Sequence, residues 1–348
     1  MKNADSNQWN YHPELPLGHV PVFVWPLELV GAIKFLFSRE FFLSFVVSFG
    51  GLAVFTWYYL QPSLERCAVL EVGWIAQMLA RNFILILIIA GGLHLYFYVF
   101  KIQGTHRKFD NDTPTTKNNP RFFLRNQVWD NMFYTLISGV ILWTAYEVIF
   151  FWAYANDMLP YYLEIRSHPV SFFLVFLFLP FWSSFHFHFI HKLLHWRPLF
   201  KIAHSVHHRN VSLGPWSGMS MHPIEHLLYL STILIHVVIP THPIHILFHM
   251  QYQTMGASMS HSGYDFLTVR GIPLIGLTSF HHQLHHKYLD CNYGNPLVAT
   301  DRWFNCDHDG TIEATVQVRR RQRARPAGSR AVGPDPEPLR YSQHHLLG

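Results

Sequence analysis

Four apolar runs constrain this chain more than any other feature. They fall at 41–60, 82–100, 132–155 and 170–190, each with at most one charged residue. A hydrocarbon core about 30 Å thick takes about 20 residues of helix, at about 1.5 Å per residue. Helices of most soluble cores are shorter, so the chain is expected to cross a bilayer four times as an all-α integral membrane protein. Composition agrees, because half of the 348 residues are apolar and 14% are charged, against about a quarter charged in an ordinary soluble domain. Residues 1–20 are polar and carry no basic, apolar leader, so insertion is expected from the internal runs. The three cysteines, Cys67, Cys291 and Cys306, fit neither a disulfide framework nor a C-x-x-C zinc motif and read as free thiols.

Charge sets the expected orientation. Segment 101–131 carries Lys101, Arg107, Lys108, Lys117, Arg121 and Arg125, whereas 61–73 has only Arg66 and 156–169 only Arg166. Positive-inside puts 101–131 in the cytosol and returns the chain there near residue 186. A fifth apolar stretch, 227–250, is interrupted by Pro240 and Pro243, which no continuous helix tolerates. It reads as two half-helices forming a re-entrant hairpin, although a bent fifth and sixth span would give the same pattern. From Arg319 onward the sequence is basic, Pro-rich and without apolar period, and disorder is expected. The expected division is an interfacial segment 1–40, two spans with a cytosolic loop over 41–130, a catalytic unit 131–310 and a basic disordered tail 311–348.

The chemistry lies in histidine. Residues 186–208 hold seven of the 26 imidazoles, and His281, His282, His285 and His286 form a second dense group. On a helix His191 and His195 share a face, and His204, His207 and His208 are expected to point together. Neutral imidazole is the commonest ligand for zinc, copper, iron and nickel. A zincin would place Glu after the first histidine of H-x-x-x-H, where this chain has Lys192. A carboxylate di-iron bundle would need Glu-x-x-His motifs, and Glu225 stands directly beside His226. A histidine-rich metal transporter remains as the alternative, with its ligands expected at mid-membrane. The boxes hold more imidazoles than the four positions of one tetrahedral zinc, so two metals are the economical count. His188, one turn before His191, is a tentative further ligand.

Four motifs carry a family resemblance: H-K-L-L-H at 191–195, H-S-V-H-H at 204–208, H-Q-L-H-H at 282–286, and N-Y-G at 292–294 followed by D-R-W-F at 301–304. Their order and spacing over about 130–305 resemble the fatty acid hydroxylase/sterol desaturase superfamily, most closely its sterol C5-desaturase/alkylglycerol monooxygenase branch. The resemblance implies a cytosolic, histidine-rich helical cap holding two iron ions that activate O2 to hydroxylate or desaturate a lipid. It implies His191, His195, His204, His207, His208, His282, His285 and His286 as catalytic ligands, with His261 as the lone histidine before the last box. His222 and His226, in M-H-P-I-E-H, are tentative.

Cleaving an unactivated C–H bond calls for a strongly oxidising metal, which imidazoles hold without adding negative charge. Glu225, Asp265, Asp290 and Asp301 are the expected acceptors for second ring nitrogens, and Trp182, Trp196 and Trp216 the expected walls of a cleft open to the bilayer. The sequence has no C-x-x-C-H and no G-x-G-x-x-G, so electrons are expected from a cytochrome b5-type or ferredoxin/reductase donor. The membrane is expected to be the endoplasmic reticulum or a bacterial inner membrane, and no nucleic-acid partner is expected.

Overall fold

The computed structural model describes residues 9–277 and 280–324. Among the described residues, four helices are long and apolar enough to cross a membrane: α1 (Arg39–Tyr59), α2 (Val72–Val99), α3 (Gln127–Ala155) and α4 (Pro169–Leu194). Each begins at or before its expected run. Their outward faces carry Ile84, Ile88, Val99, Ile149, Leu174 and Phe178, all more than 40% exposed, an apolar surface that lipid would cover. Between α2 and α3, Arg81 pairs with Glu147, and Gln61, Asn82 and Trp143 complete the hydrogen bonding of both charges. Buried charges within a span are costly unless paired in this way.

The helices alternate in direction. One end of the bundle gathers the start of α1, the end of α2, the start of α3 and the end of α4, and the histidine boxes follow there. After α4 come α5 (197–208), α6 (Pro223–Val237), α7 (Pro243–Ser260), α8 (Phe280–Tyr288) and α9 (Ile312–Ala324). The prolines divide 223–260 into the expected two helices, with His242 capping α7 through Nδ1 on the Ile244 amide. The hairpin turns at the far end of the bundle, where Thr241 bridges to Tyr161 in the loop before α4 and His245 bonds the Phe172 carbonyl. It therefore runs nearly the depth of α3 and α4 and brings α7 back to the box end.

Two features depart from expectation. A two-stranded antiparallel hairpin, β1 (Phe266–Val269) with β2 (Ile272–Gly276), interrupts the all-α pattern between α7 and α8. Part of the tail expected to be disordered, Ile312–Ala324, is the helix α9: Val318 is fully buried beside Phe280, Leu284 and Tyr288, which gives it a core to pack on. The remainder, 325–348, lies outside the described residues. The N-terminal segment wraps the same small core, with Trp9 edge-on to Phe280 at 5.1 Å and the Asn10 amide donating to the Phe109 carbonyl at 2.8 Å.

Candidate metal centre

Helical geometry explains how the boxes divide. Neighbouring residues on a helix point about 100° apart, and residues four apart point nearly together. In H-S-V-H-H, His204 and His208 go to one group and His207 to another; in H-Q-L-H-H, His282 and His286 go to the second group and His285 to the first. Each box thus gives its outer pair to one group and its middle histidine to the other. With His191 and His195 from the end of α4, the first group holds five imidazoles, and His261 completes a second group of four. The expectation that His204, His207 and His208 point together is therefore corrected: one residue of helix rotation separates His207 from His208.

The ring nitrogens say what these groups can hold. Within the first group, Nε2 atoms face each other at 3.0 Å (His191 with His204), 3.1 Å (His195 with His208, His208 with His285) and 3.2 Å (His195 with His285). Within the second, the Nε2 of His261 stands 3.2 Å from His207, 3.0 Å from His282 and 3.3 Å from His286. Backbone carbonyls accept only, so Nδ1 must carry the proton where His191 meets Tyr293 O at 2.6 Å, His285 meets Cys291 O at 2.6 Å and His261 meets Ala257 O at 2.8 Å. A neutral imidazole protonated there has a bare Nε2. Bare nitrogens converging at these distances repel one another unless a cation sits among them. Nitrogens sharing one ion at about 2.1 Å stand about 3.0 Å apart at a right angle and about 3.4 Å apart at a tetrahedral one. The observed spacings lie toward the first.

Burial keeps the imidazoles neutral. It pushes His261 and His285 down to about 4, and His204, His207, His208, His282 and His286 well below the ordinary histidine value, with the neighbouring imidazoles pushing the same way. Such groups need lose no proton to bind a metal at neutral pH.

The outer supports are mostly backbone. Glu225 bears out one expectation: its Oε1 stands 2.7 Å from His204 Nδ1, and burial raises its carboxyl well above the usual range. Asp301 acts at one remove, accepting from the Tyr293 amide at 2.8 Å and the Gly294 amide at 2.9 Å, which fixes the turn whose carbonyl holds His191. A Cβ at Gly294 would come within 3.1 Å of that carboxylate and 3.0 Å of Thr300 Oγ1, so a larger residue there would press on the turn. Asp265 instead meets Tyr11 and Arg107, and Asp290 meets the Tyr293 hydroxyl. The carbonyls of Tyr293, Cys291 and Ala257 went unforeseen, although N-Y-G was the visible signal for the first.

Three tentative histidines stand outside both groups. His188 gives Nδ1 to Asp301 at 3.1 Å, His222 caps α6 through the Ile224 amide, and His226 is held between Ser138 at 2.9 Å and the Met219 carbonyl at 3.2 Å. Beside the two groups lies a cavity of about 210 Å³, lined by His191, His204, His207, His261 and His282 at one side and by Phe41, Phe45, Phe187, Tyr252 and Leu297 elsewhere. None of the three expected tryptophans lines it. Trp216 is buried in the main core, Trp196 is exposed and Trp182 bonds the Thr232 carbonyl. The walls come instead from α1, α4, α6, α7, the N-terminal segment and the 295–297 loop.

Residues 172–306, which hold all nine histidines, match the fatty acid hydroxylase family. The chain is 28% identical over 118 residues to the Delta(7)-sterol 5(6)-desaturase ERG3B of Gibberella zeae, covering 33% of this chain and 36% of the relative. It is 28% identical over 115 residues to the Delta(7)-sterol 5(6)-desaturase ERG3 of Saccharomyces cerevisiae, covering 32% and 30%. A third relative, the very-long-chain aldehyde decarbonylase GL1-11 of Oryza sativa subsp. japonica, is 26% identical over 185 residues, covering 51% and 66%. The match therefore spans about a third of the length of the desaturases. No solved structure matches the chain. With its boxes inside the matched segment, the chain carries a fatty acid hydroxylase domain over residues 172–306 and is similar there to sterol desaturases.

Proposed function

We propose that this protein is a membrane-bound, non-haem di-iron oxidoreductase that uses O2 to hydroxylate or desaturate a lipid. The observation that carries the reading is the pair of histidine groups, with bare Nε2 atoms 3.0–3.3 Å apart beside an apolar cavity. Five imidazoles in one group exceed the four positions of a tetrahedral zinc and suit a metal that takes a higher coordination number, such as iron. Two irons held by these nine histidines would supply the O2 reduction and C–H oxidation that no side chain performs.

The chain's own residues would do the rest. Tyr293 O, Cys291 O, Ala257 O and Glu225 fix the rings of His191, His285, His261 and His204, so that each Nε2 is presented without reorganisation. Phe41, Phe45 and Phe187 exclude water from the cavity and receive an apolar chain. Because α1 and α4 form part of the wall, the lipid reaches the cavity from the bilayer, beneath a helical cap on the cytosolic face. Electrons come from a separate donor of the cytochrome b5 or ferredoxin/reductase type, and the membrane is the endoplasmic reticulum or a bacterial inner membrane.

The experiment is reconstitution in detergent with Fe(II) under anaerobic conditions, followed by metal analysis and then O2 with reductant and membrane lipid. Two irons per chain and O2 uptake matched by lipid oxidation are expected. Tight zinc with neither O2 uptake nor lipid change would replace the proposal by the alternative, a histidine-rich metal-binding or transport protein.

A further inference from the structure

Five buried side chains outside both histidine groups are joined head to tail. The Tyr154 hydroxyl lies 3.3 Å from Thr241 Oγ1, which lies 2.8 Å from His236 Nδ1. His236 Nε2 lies 3.1 Å from His249 Nδ1, and His249 Nε2 lies 2.9 Å from Ser183 Oγ. All five are no more than 2% exposed. The two ends differ in surroundings. At the far end of the bundle, the Tyr154 ring packs 5.1 Å from that of Tyr161, whose hydroxyl meets the exposed Asp157. At the inner end, Ser183 belongs to the wall of the cavity that His191 also lines.

Hydroxyls and neutral imidazoles each donate one hydrogen bond and accept another. With the proton on Nε2 of both histidines, Tyr154 donates to Thr241, Thr241 to His236, His236 to His249 and His249 to Ser183, so every member is satisfied in one direction. Moving one proton inward along the chain, with the Tyr154 hydroxyl reprotonated from the far end and the Ser183 proton released into the cavity, leaves both histidines in the other tautomer, again satisfied. Polar contacts that only fastened helices together would not need this property. Histidine chains with it serve as proton relays within membranes. The neighbouring imidazoles stand aside: His186 meets Ser231 at 3.0 Å, and His245 meets the Phe172 carbonyl at 2.9 Å. Thr232 Oγ1, 3.2 Å from His249 Nε2, is a side branch.

We propose that Tyr154, Thr241, His236, His249 and Ser183 form a proton relay running from the far end of the bundle to the wall of the lipid cavity. This role rests on the O2-dependent reading above. Hydroxylation balances as R–H + O2 + 2e⁻ + 2H⁺ → R–OH + H2O, and desaturation as R–CH2–CH2–R′ + O2 + 2e⁻ + 2H⁺ → R–CH=CH–R′ + 2H2O. The electrons come from the external donor. The protons come from water and must reach a cavity lined largely by aromatic and apolar side chains, and the relay brings them to Ser183, on its wall.

Glutamine can make both hydrogen bonds of a histidine and cannot pass a proton between them. His236→Gln and His249→Gln should therefore lower kcat about 100-fold, the lower end for loss of a proton-transfer group, with a larger solvent deuterium isotope effect and unchanged KM, metal content and thermal stability. His245→Gln, off the relay, should leave all of these at their original values. Nitrogen-15 spectra of ring-labelled histidine give a readout independent of turnover. The His236 and His249 rings should show averaged tautomers in the full chain in nanodiscs, and His236→Gln should freeze His249 in one form. Each ring fixed in a single tautomer, or relay variants with unaltered kcat and isotope effect, overturns the relay. Averaged tautomers in a chain that oxidises no lipid would keep the relay and remove the function proposed for the metal centre.

Discussion

Two regions of this molecule are dense in buried histidine, and they have opposite hydrogen-bond chemistry. Around the boxes, Nε2 faces Nε2 at 3.0–3.3 Å, and at His191, His285 and His261 the proton is committed to a carbonyl on the other side of the ring. In the α6–α7 hairpin, His236 Nε2 meets His249 Nδ1, and their remaining nitrogens meet hydroxyls. The first pattern calls for a cation among its nitrogens; the second is satisfied by its own protons. Density of imidazole therefore does not identify a metal site. What identifies it is whether the nitrogens face partners that can share a proton.

The contrast can be broken most forcefully at the boxes. His282→Ala and His285→Ala should each cut lipid oxidation by at least about 100-fold, the upper end of what disturbing even an outer metal shell costs, while the chain still inserts and accumulates. Full turnover with normal iron in either variant would remove these residues from the centre. Next in size is Glu225→Gln, whose amide can orient His204 without carrying charge; metal affinity should fall about 10-fold, read by competition with a chelator. An unchanged affinity would make Glu225 a packing residue.

Asp301→Ala frees the Tyr293–Gly294 turn that holds His191. It should weaken metal binding by a similar factor of about 10, and equal loss in both groups would contradict its action through His191 alone. His226→Ala belongs to the other side of the comparison. It removes a ring bonded to Ser138 and the Met219 carbonyl, so unfolding should become easier by about 1–3 kcal/mol with the metal content unchanged; a loss of metal would show the ring to be a ligand. His12→Ala, whose Nδ1 meets the Pro13 carbonyl, should change none of these measurements, and a fall in activity there would mean that the other losses report folding.

Much of the site was legible because its signals are local. The spacing of His191 with His195, and of His204 with His208, reports a shared helical face, and all nine histidines singled out by the boxes and by His261 come together in the two groups. The split within each H-x-x-H-H box is local too, being one residue of helical rotation, and it was overlooked because the three histidines were treated as one face. The tryptophans misled for a different reason. An aromatic near a box in sequence has no preference between cavity wall, core and surface, and Trp216 went to the core while Phe41 and Phe45, some 150 residues before the first box, became the wall.

By itself, the sequence determined that there would be four apolar helices, a break at Pro240 and Pro243, and a centre built from imidazole, because hydropathy, proline and ligand spacing act over a few turns of chain. Only the tertiary structure decided which box shares a group with which, that backbone carbonyls hold His191, His285 and His261 while Glu225 holds His204, that α9 is ordered against Phe280 and Tyr288, and that His236 and His249 line up between Tyr154 and Ser183. Those outcomes depend on the packing of helices far apart in the chain, and the direction in which a ring nitrogen points is fixed only once its neighbours are in place.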